Sequence, residues 1–372
     1  MKLSTILLTI FASNTLYAQN GAVEKQQTFW QGDESLSACE TCGYSYPATV
    51  NLQCGYGVAL RGSYLYWFAG EEGLDLATTV LFNTATNTAV APSTGGSVVR
   101  QKFDYGSGFK VGLSWITCWD NWTWNADYTR YHHDTKFTRQ ADPQTGGVGG
   151  LYLTDWFYQT SAGIQQGVVS GNFTSKWDLD LDWIDVTLER PYYSGRSFTL
   201  NPFFGLRAAL INQTVNLSVG NVLNFSPPQS TVSSNNNSNS WGIGPRAGAA
   251  ARYLLGRQIR IEGSAGASLL YTKYTKISHS EGTLTAGGSG IGYSSNGQSD
   301  LRPYLEGNLG LGWGSYCCNK RYHFDFNATY DFNYLWAQNM IRYLNDLNVI
   351  GTGASAGSLY LHGLTVNGSF DF

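Results

Sequence analysis

Charged side chains are scarce in this sequence. Lys, Arg, Asp and Glu make up 13% of its 372 residues, about half the share of an ordinary globular chain. The two signs nearly cancel, leaving a formal net charge of −3, so the basic excess that a nucleic-acid binder needs is missing. Methionine and proline are few, at 2 and 9. After the first twenty residues no apolar run is long enough for a helical membrane span, and the mean hydropathy of −0.22 agrees. No H-E-x-x-H or phosphate-loop motif occurs. Aromatics, by contrast, reach 15% (24 Tyr, 18 Phe and 12 Trp), and there are 44 glycines. Low charge with many aromatics excludes a disordered chain. The length would suit two ordinary domains, but an all-β barrel runs longer as one unit.

One apolar run stands at the start. Met1-Lys2 precedes the stretch Leu3 to Leu16, and Ala18 offers a small residue for cleavage. This order of charge, short apolar core and small residue is that of a secretory signal peptide. The expected organisation is a signal peptide over 1–18, a cysteine-bearing periplasmic leader over 19–56 and a barrel over 57–372.

Beyond residue 56 the chain alternates with period two. Phe109, Val111, Leu113 and Trp115 share one face, against Gly108, Lys110, Gly112 and Ser114 on the other. From Arg321 the pattern returns: Tyr322, Phe324, Phe326, Ala328, Tyr330, Phe332, Tyr334 and Trp336 oppose His323, Asp325, Asn327, Thr329, Asp331 and Asn333. Side chains of a strand alternate between faces, so these are strands and not helices. Ten segments can be laid down, over about 57–68, 98–116, 121–137, 173–190, 197–217, 240–254, 258–273, 301–315, 321–337 and 357–372. Short turns alternate with long Gly-, Ser-, Thr- and Asn-rich loops at 69–97, 138–172, 218–239, 274–300 and 338–356. Short turns at one rim and long loops at the other predict an all-β fold, a transmembrane antiparallel barrel of at least ten strands. Further hairpins inside the long loops, for example between Leu151 and Val169, leave twelve to sixteen strands open.

The faces then have roles. An apolar, aromatic face meets lipid, and the sheet closes because an open edge in hydrocarbon leaves backbone groups unpaired. Aromatics near strand ends (Tyr64, Tyr66, Trp67 and Phe68; Trp115, Trp119, Trp122 and Trp124; Trp313 and Tyr316) predict interfacial girdles. In 177–188 the phase slips, since Trp177, Leu179, Leu181 and Trp183 are followed by Ile184, Val186 and Leu188. A bulge near Trp183-Ile184 would return them to one face. Met340, Ile341, Leu344 and Leu347 recur at helical spacing, predicting a short helix or irregular insert over 336–348 that could plug the lumen. The last strand carries Leu364, Val366, Gly368, Phe370 and Phe372 on one face, a terminal alternation that resembles the signal read by barrel-assembly machinery in diderm bacteria.

The segment Leu60-Arg61-Gly62-Ser63-Tyr64-Leu65-Tyr66-Trp67, followed by Glu71-Glu72-Gly73-Leu74-Asp75, resembles the opening strand of the Legionella-type major outer membrane proteins, which also occur in environmental relatives of chlamydiae. Trp183 to Arg190, Pro202 to Ala208 and Gly244 to Gly248 extend the resemblance over roughly 54–372. The segment before it, with Phe29-Trp30-Gln31-Gly32 and then Cys39, Cys42 and Cys54, departs toward a cysteine-bearing chlamydial variant. The resemblance implies a pore-forming outer membrane protein for small polar solutes, with surface exposed to host cells.

If apolar residues face lipid, the opposite set lines the pore. These are Lys110, Asp127, Asp178, Asp180, Asp182, Arg207, Arg246, Arg252, Arg260, Glu262, Arg302, Glu306, Asp325 and Asp331. A basic sector facing an acidic one would set a transverse field across the lumen; the same charges could instead pair and brace the wall. Inward glycines (Gly106, Gly108, Gly112, Gly242, Gly244, Gly248, Gly310 and Gly312) would leave room for passage. Cys39, Cys42, Cys54, Cys118, Cys317 and Cys318 all fall at the short-turn rim, where an oxidising compartment favours disulfides over a zinc site. For catalysis the nearest candidate is His132-His133-Asp134 with Asp155 and Asp75, but neighbours on a strand face opposite sides, so no base–partner pair is expected and the chain is not read as an enzyme. No cofactor or metal is implied. The partners are outer membrane lipid, small polar solutes and ions, with a homo-oligomer or disulfide-linked envelope proteins left open. The expected function is a porin; the alternative is a closed structural or adhesive surface barrel that binds through its long loops.

Overall fold

The computed structural model describes residues 57–83, 88–89, 97–117, 122–140, 148–154, 156–157, 168–222, 229–256, 258–282, 291–344 and 357–372, with Val50 and Leu52. The signal peptide, nearly all of the leader, and Cys39, Cys42, Cys54, Cys118 and Asp155 lie outside the described residues.

Ten long strands form the wall: β1 (Val58–Glu71), β2 (Tyr105–Ile116), β3 (Thr123–Gln140), β4 (Val168–Glu189), β5 (Phe198–Val222), β6 (Gln229–Gly256), β7 (Ile259–Glu281), β8 (Ser299–Cys317), β9 (Tyr322–Asn339) and β10 (Gly357–Asp371). Each pairs antiparallel with its neighbours in sequence, and β10 returns to β1 from Ala59↔Asp371 to Glu71↔Leu359, closing the ring. The fold is therefore an all-β, ten-stranded closed barrel. The long loops do hold extra strands, but outside the ring. Asp75–Asn83 pairs with Val148–Thr154, which in turn pairs with the start of β4, and Ile291–Ser295 pairs with the end of β7. Val98–Arg100, taken from sequence as the start of the second wall strand, pairs with Asp75, Ala77 and Thr78 in that same outer sheet.

The strands are far longer than a membrane requires. A tilted span needs about 9–11 residues, whereas β5 has 25 and β6 has 28. The excess projects beyond the long-loop side, and the side chains record where hydrocarbon ends. On β5 the outward residues are Phe204, Leu206, Ala208 and Leu210, then Asn212, Thr214, Asn216 and Ser218. The inward residues run the other way: Arg207, then Ala209, Ile211, Val215, Leu217 and Val219, all buried. Outside, lipid gives way to water; inside, a polar lumen gives way to an apolar core.

The same inversion explains the phase slip in β4, and no bulge is involved. Its register against β3 and β5 is unbroken from Ser170 to Glu189. Trp177, Leu179, Leu181 and Trp183 point inward, and so do Asp185 and Thr187. Ile184, Val186 and Leu188 point to lipid on the same face as Asp178, Asp180 and Asp182, which stand above it. What changes at Trp183-Ile184 is the surrounding medium.

Two more expectations are corrected by this extension. The Asn- and Ser-rich run within 229–240 is not a loop but part of β6, paired with β5 up to Val222↔Gln229. Its intrinsic strand propensity is poor, but its outward amides bond across strands (Asn237 to Ser278, Thr214 to Asn237) while Asn236 and Ser238 are buried inside. Over 336–348, β9 continues to Asn339, and a helical turn begins only at Tyr343-Leu344, beyond which 345–350 are outside the described residues.

Aromatics mark both edges of the lipid belt. On the long-loop side Tyr66 stacks on Tyr105 at 5.2 Å and Phe68 on His362 at 5.1 Å. On the short-turn side Phe324 meets Phe370 at 4.8 Å, and Trp115 and Trp313 are exposed.

Candidate functional site

The lumen has two storeys, divided by three rings. Trp67 from β1, Trp183 from β4 and Tyr304 from β8 belong to strands that are never neighbours in the ring, yet Trp67 lies 6.3 Å from Trp183 and Trp183 lies 5.4 Å from Tyr304, centroid to centroid. Side chains reaching from three sides of the wall thus meet in the middle. Hydrogen bonds fix them: the Trp67 indole donates to Thr365 Oγ1 at 3.0 Å, and the Tyr304 hydroxyl donates to Asn333 Oδ1. All three rings are at most 4% exposed.

Above this septum the barrel is packed with buried apolar side chains, among them Ala69, Trp177, Leu179, Leu181, Ile211, Leu335 and Leu361. The start of the insert caps them. Gln338 accepts from Gln213 at 3.0 Å and donates to Ser240 at 2.9 Å, and Tyr274 donates to the Gln338 carbonyl at 2.7 Å. Met340, Ile341 and Leu344 follow it into the core. The described part of the insert therefore enters the barrel mouth, but the wall's own side chains close the lumen beneath it.

Below the septum lies a polar cup of about 260 Å³. Arg207, 2% exposed, clamps Asp185 with two N–H donors at 2.6 and 2.7 Å and reaches Glu306 at 2.7 Å. Its guanidinium lies flat on Tyr304, 4.3 Å from the ring centroid, and 5.1 Å from that of Trp183. Such stacking suits a planar, weakly hydrated cation. Arg246 donates to Glu306 at 2.6 Å and stacks on Phe203. Nearer the short-turn rim, Arg260 bridges Glu262 and Asp325 at 2.6 Å each, and Arg61 pairs with Asp127 at 3.0 Å.

Of the charged residues expected in the lumen, Lys110, Asp127, Arg207, Arg246, Arg252, Glu262 and Glu306 line this cup, as does Asp331, held by hydroxyls of Thr329 and Thr365 at 2.7 and 2.6 Å. Arg260 and Asp325 are inward and buried at the rim, and Arg302 is inward but above the septum, bonded to Asp300 at 2.9 Å. Asp178, Asp180 and Asp182 are the correction: they face out, toward Lys176 and His132. The missing inward carboxylate is Asp185. An unbroken odd-numbered alternation from Phe173 to Glu189, followed without insisting on one polarity per face, would have found it.

Nor do the charges split into a basic and an acidic sector. Positive strands (Arg61 and Lys110 on β1 and β2, Arg207 and Arg246 on β5 and β6) stand between negative ones (Asp127 and Asp185 on β3 and β4, Glu306 and Asp331 on β8 and β9), and most of these charges pair across the wall and brace it. Four of the inward glycines likewise leave no open space beside them. The space beside Gly106 is taken by His133 and Tyr131, that beside Gly112 by Asp127, beside Gly248 by Phe203 and beside Gly312 by Arg260. Each lets a large neighbour lie down across it.

His132 and His133 separate as adjacent strand residues must, His132 outward to Asp180 and Asp182 at 3.2 Å, His133 to Asp104 at 2.6 Å. Cys317 and Cys318 are free thiols at the short-turn rim, not bonded to each other; their four candidate partners fall outside the described residues. Desolvation, with the adjacent Cys318, pushes the Cys317 thiol up.

A family profile described as "Legionella pneumophila major outer membrane protein precursor" matches residues 56–372. No curated protein matches the chain. Among solved structures, the outer membrane protease OmpT from Escherichia coli is 12% identical, with 88% of this chain and 100% of that one covered and a TM-score of 0.41. A FadL homologue from Pseudomonas aeruginosa is 9% identical over 85% and 89% at a TM-score of 0.25, and an anion-selective porin from Comamonas acidovorans is 8% identical over 84% and 100% at 0.16.

Proposed function

The chain belongs to the family of the Legionella pneumophila major outer membrane protein, and from that premise we propose that this member is an outer membrane barrel closed to free diffusion, serving as a structural and surface protein of the envelope. Family and fold together make it an integral outer membrane protein of a non-enzymatic family, with long loops extracellular and the end of β10 at the periplasmic, short-turn rim.

The observation that carries the proposal is the septum. Trp67, Trp183 and Tyr304 belong to the wall itself, so withdrawing a loop does not open the lumen. Opening would expose a whole layer of apolar side chains, at about 1.5–3 kcal/mol for each large one, which no small solute's binding repays. Ten strands also give an interior only slightly wider than the eight whose side chains fill it. The exposed groups then carry the biology: the strands that project beyond the lipid belt, and the loops at their tips.

A second reading, the porin that the charged lining suggests, is favoured by one observation. The lower lumen keeps a polar, solvent-sized space of about 260 Å³ reaching to the septum, so passage needs only the ring layer and the packing above it to rearrange. Reconstitution into a planar bilayer separates the two. The closed barrel gives no conductance above the empty bilayer; stable channels in the wild-type protein would favour the porin.

A further inference from the structure

The strands outrun the lipid belt on one side of the barrel. β8, β9, β10, β1 and β2 stop within three residues of their last outward apolar side chain, which is Leu301, Trp336, Tyr360, Phe68 and Tyr105 in turn. β3 to β7 continue for ten or more residues past Tyr128, Ile184, Leu210, Trp241 and Tyr271. Half of the wall therefore stands above the membrane, and its outer face continues the lipid-facing face of the same strands.

The centre of that face is neither charged nor apolar. The outward positions of β5 from Asn212 to Gly220 and of β6 from Thr231 to Asn239 are Asn, Thr, Ser or Gly, ten in all. Exposed surface ordinarily carries charge at about a quarter to a third of its positions; none of these ten does. The amides are tied into a chain: Thr214 donates to Asn237 at 2.9 Å, Asn237 to Asn235, and Asn235 to Asn216. Each amide oxygen accepts from the donor before it, which fixes its orientation, and Asn216 ends the chain with its Nδ2 group uncommitted among the described residues. Asn216 and Asn235 line a trough of about 350 Å³ on the outer wall, together with Ser218, Ser233 and Ser280. Lys176 at its edge is held by Asp178 at 2.6 Å, and Glu281 behind it is turned to His279.

This chemistry selects the partner. A protein partner would need an apolar centre to the contact, and a phosphate would need an uncommitted cation. Hydroxyls and oriented amides, which offer donors and acceptors together, match a neutral sugar. Height selects which sugar. Asn216 and Ser218 stand six and eight residues beyond Leu210, which at about 3.3 Å per residue and a tilt of about 45° is roughly 15 Å above the hydrocarbon edge. The molecules lying against the wall below are lipids of the outer leaflet, and at this height an outer membrane presents their sugars.

We propose that the outward face of β5 and β6 above the lipid belt docks the core oligosaccharide of outer-leaflet lipopolysaccharide, with the trough between Asn216 and Ser233 seating its neutral sugars. This deepens the surface role proposed above and rests on the outer membrane placement, not on the closed lumen, so a conducting wild-type barrel would leave it standing.

The probe is the core oligosaccharide freed by mild acid from rough-type lipopolysaccharide, titrated into the folded barrel in detergent and read by saturation-transfer NMR. Wild-type protein should bind it saturably in the millimolar range. Asn216→Ala together with Asn235→Ala removes two oriented amides and should weaken binding roughly tenfold, about 1.4 kcal/mol. Ser233→Arg, which fills the trough from an exposed position without removing an amide, should weaken it at least as much. Val366→Ala, in the lipid belt of β10, should change nothing. Heat-dependent gel migration verifies that each variant is folded. No saturable binding by folded wild-type protein would overturn the proposal and leave the face to water, and unchanged affinity in both trough variants would overturn the site. Binding of a sialylated host-type glycan in place of the core oligosaccharide would overturn the assignment of the source. A dimer in detergent that the Asn variant dissociates would overturn it in favour of a second copy of the chain.

Discussion

Asp185 and Asp180 stand five residues apart on β4, yet their neutralisation should have opposite consequences. Asp185 is 2% exposed and receives both forks of Arg207. Removing one partner of a buried ion pair costs about 3–5 kcal/mol because the other charge is stranded. Glu306 still touches Arg207 at 2.7 Å, and Arg246 stands 3.7 Å from Asp185, so some compensation survives. Asp185→Asn should therefore fall at the lower end, about 3 kcal/mol. Asp180 has a side chain 57% exposed, and its ion pair among the described residues is with His132, at 3.2 Å. Its replacement by Asn should stay within about 0.5 kcal/mol, as exposed substitutions do. Urea unfolding of the barrel in lipid vesicles, read by heat-dependent gel migration, gives both values. Equal losses, or a larger loss for Asp180→Asn, would refute the unbroken register and put the bulge back at Trp183-Ile184.

Two other outcomes follow from groups at the two ends. Glu71 closes β1 above the lipid belt, and burial pushes its carboxyl well above the usual range, with Gln213 and Asn339 offsetting this only in part. A raised folded-state value means no penalty while both states are protonated. Stability is then lost as pH rises from about 4.3, where the unfolded carboxyl ionises, up to the folded value, at about 1.36 kcal/mol per unit. Glu71→Gln should stabilise the barrel at neutral pH and flatten that dependence; an unchanged pH–stability curve would refute it. At the other end, Cys317 and Cys318 are free thiols, the latter exposed. Both should be alkylated by maleimide without prior reductant, Cys318 first; peptide mapping that finds either one bridged to a leader cysteine would contradict this.

Much of the wall was legible in the sequence because alternation is a local signal. Ten segments, their faces and the short-turn rim follow from residues such as Phe324, Asp325 and Phe326, and the structure pairs these with β8 and β10. The misplaced residues share one cause. Reading one face as apolar throughout assumes one solvent along the whole strand, and these strands cross from hydrocarbon into water. That assumption sent Asp178, Asp180 and Asp182 inward, hid Asp185, and turned the Asn-rich start of β6 into a loop. The septum was not legible at all. Trp67, Trp183 and Tyr304 are 116 and 121 positions apart in sequence, and only ring closure brings them together. The glycines misled for a related reason: a missing side chain reads as space until the neighbour that fills it is known, as Arg260 does beside Gly312.

The central claim is that wall side chains close the lumen, and single-channel recording tests it most directly. Purified, folded protein in a planar bilayer should show no conductance above the empty membrane. Replacing Trp67 and Trp183 together by Ala removes two of the three septum rings at about 3–5 kcal/mol each, less any coupling between them because they touch. If that variant still folds, its lumen is the more open one, and any channels it forms should be absent from the wild type. Stable channels in the wild-type protein, of the same size with or without the two tryptophans, would contradict the account.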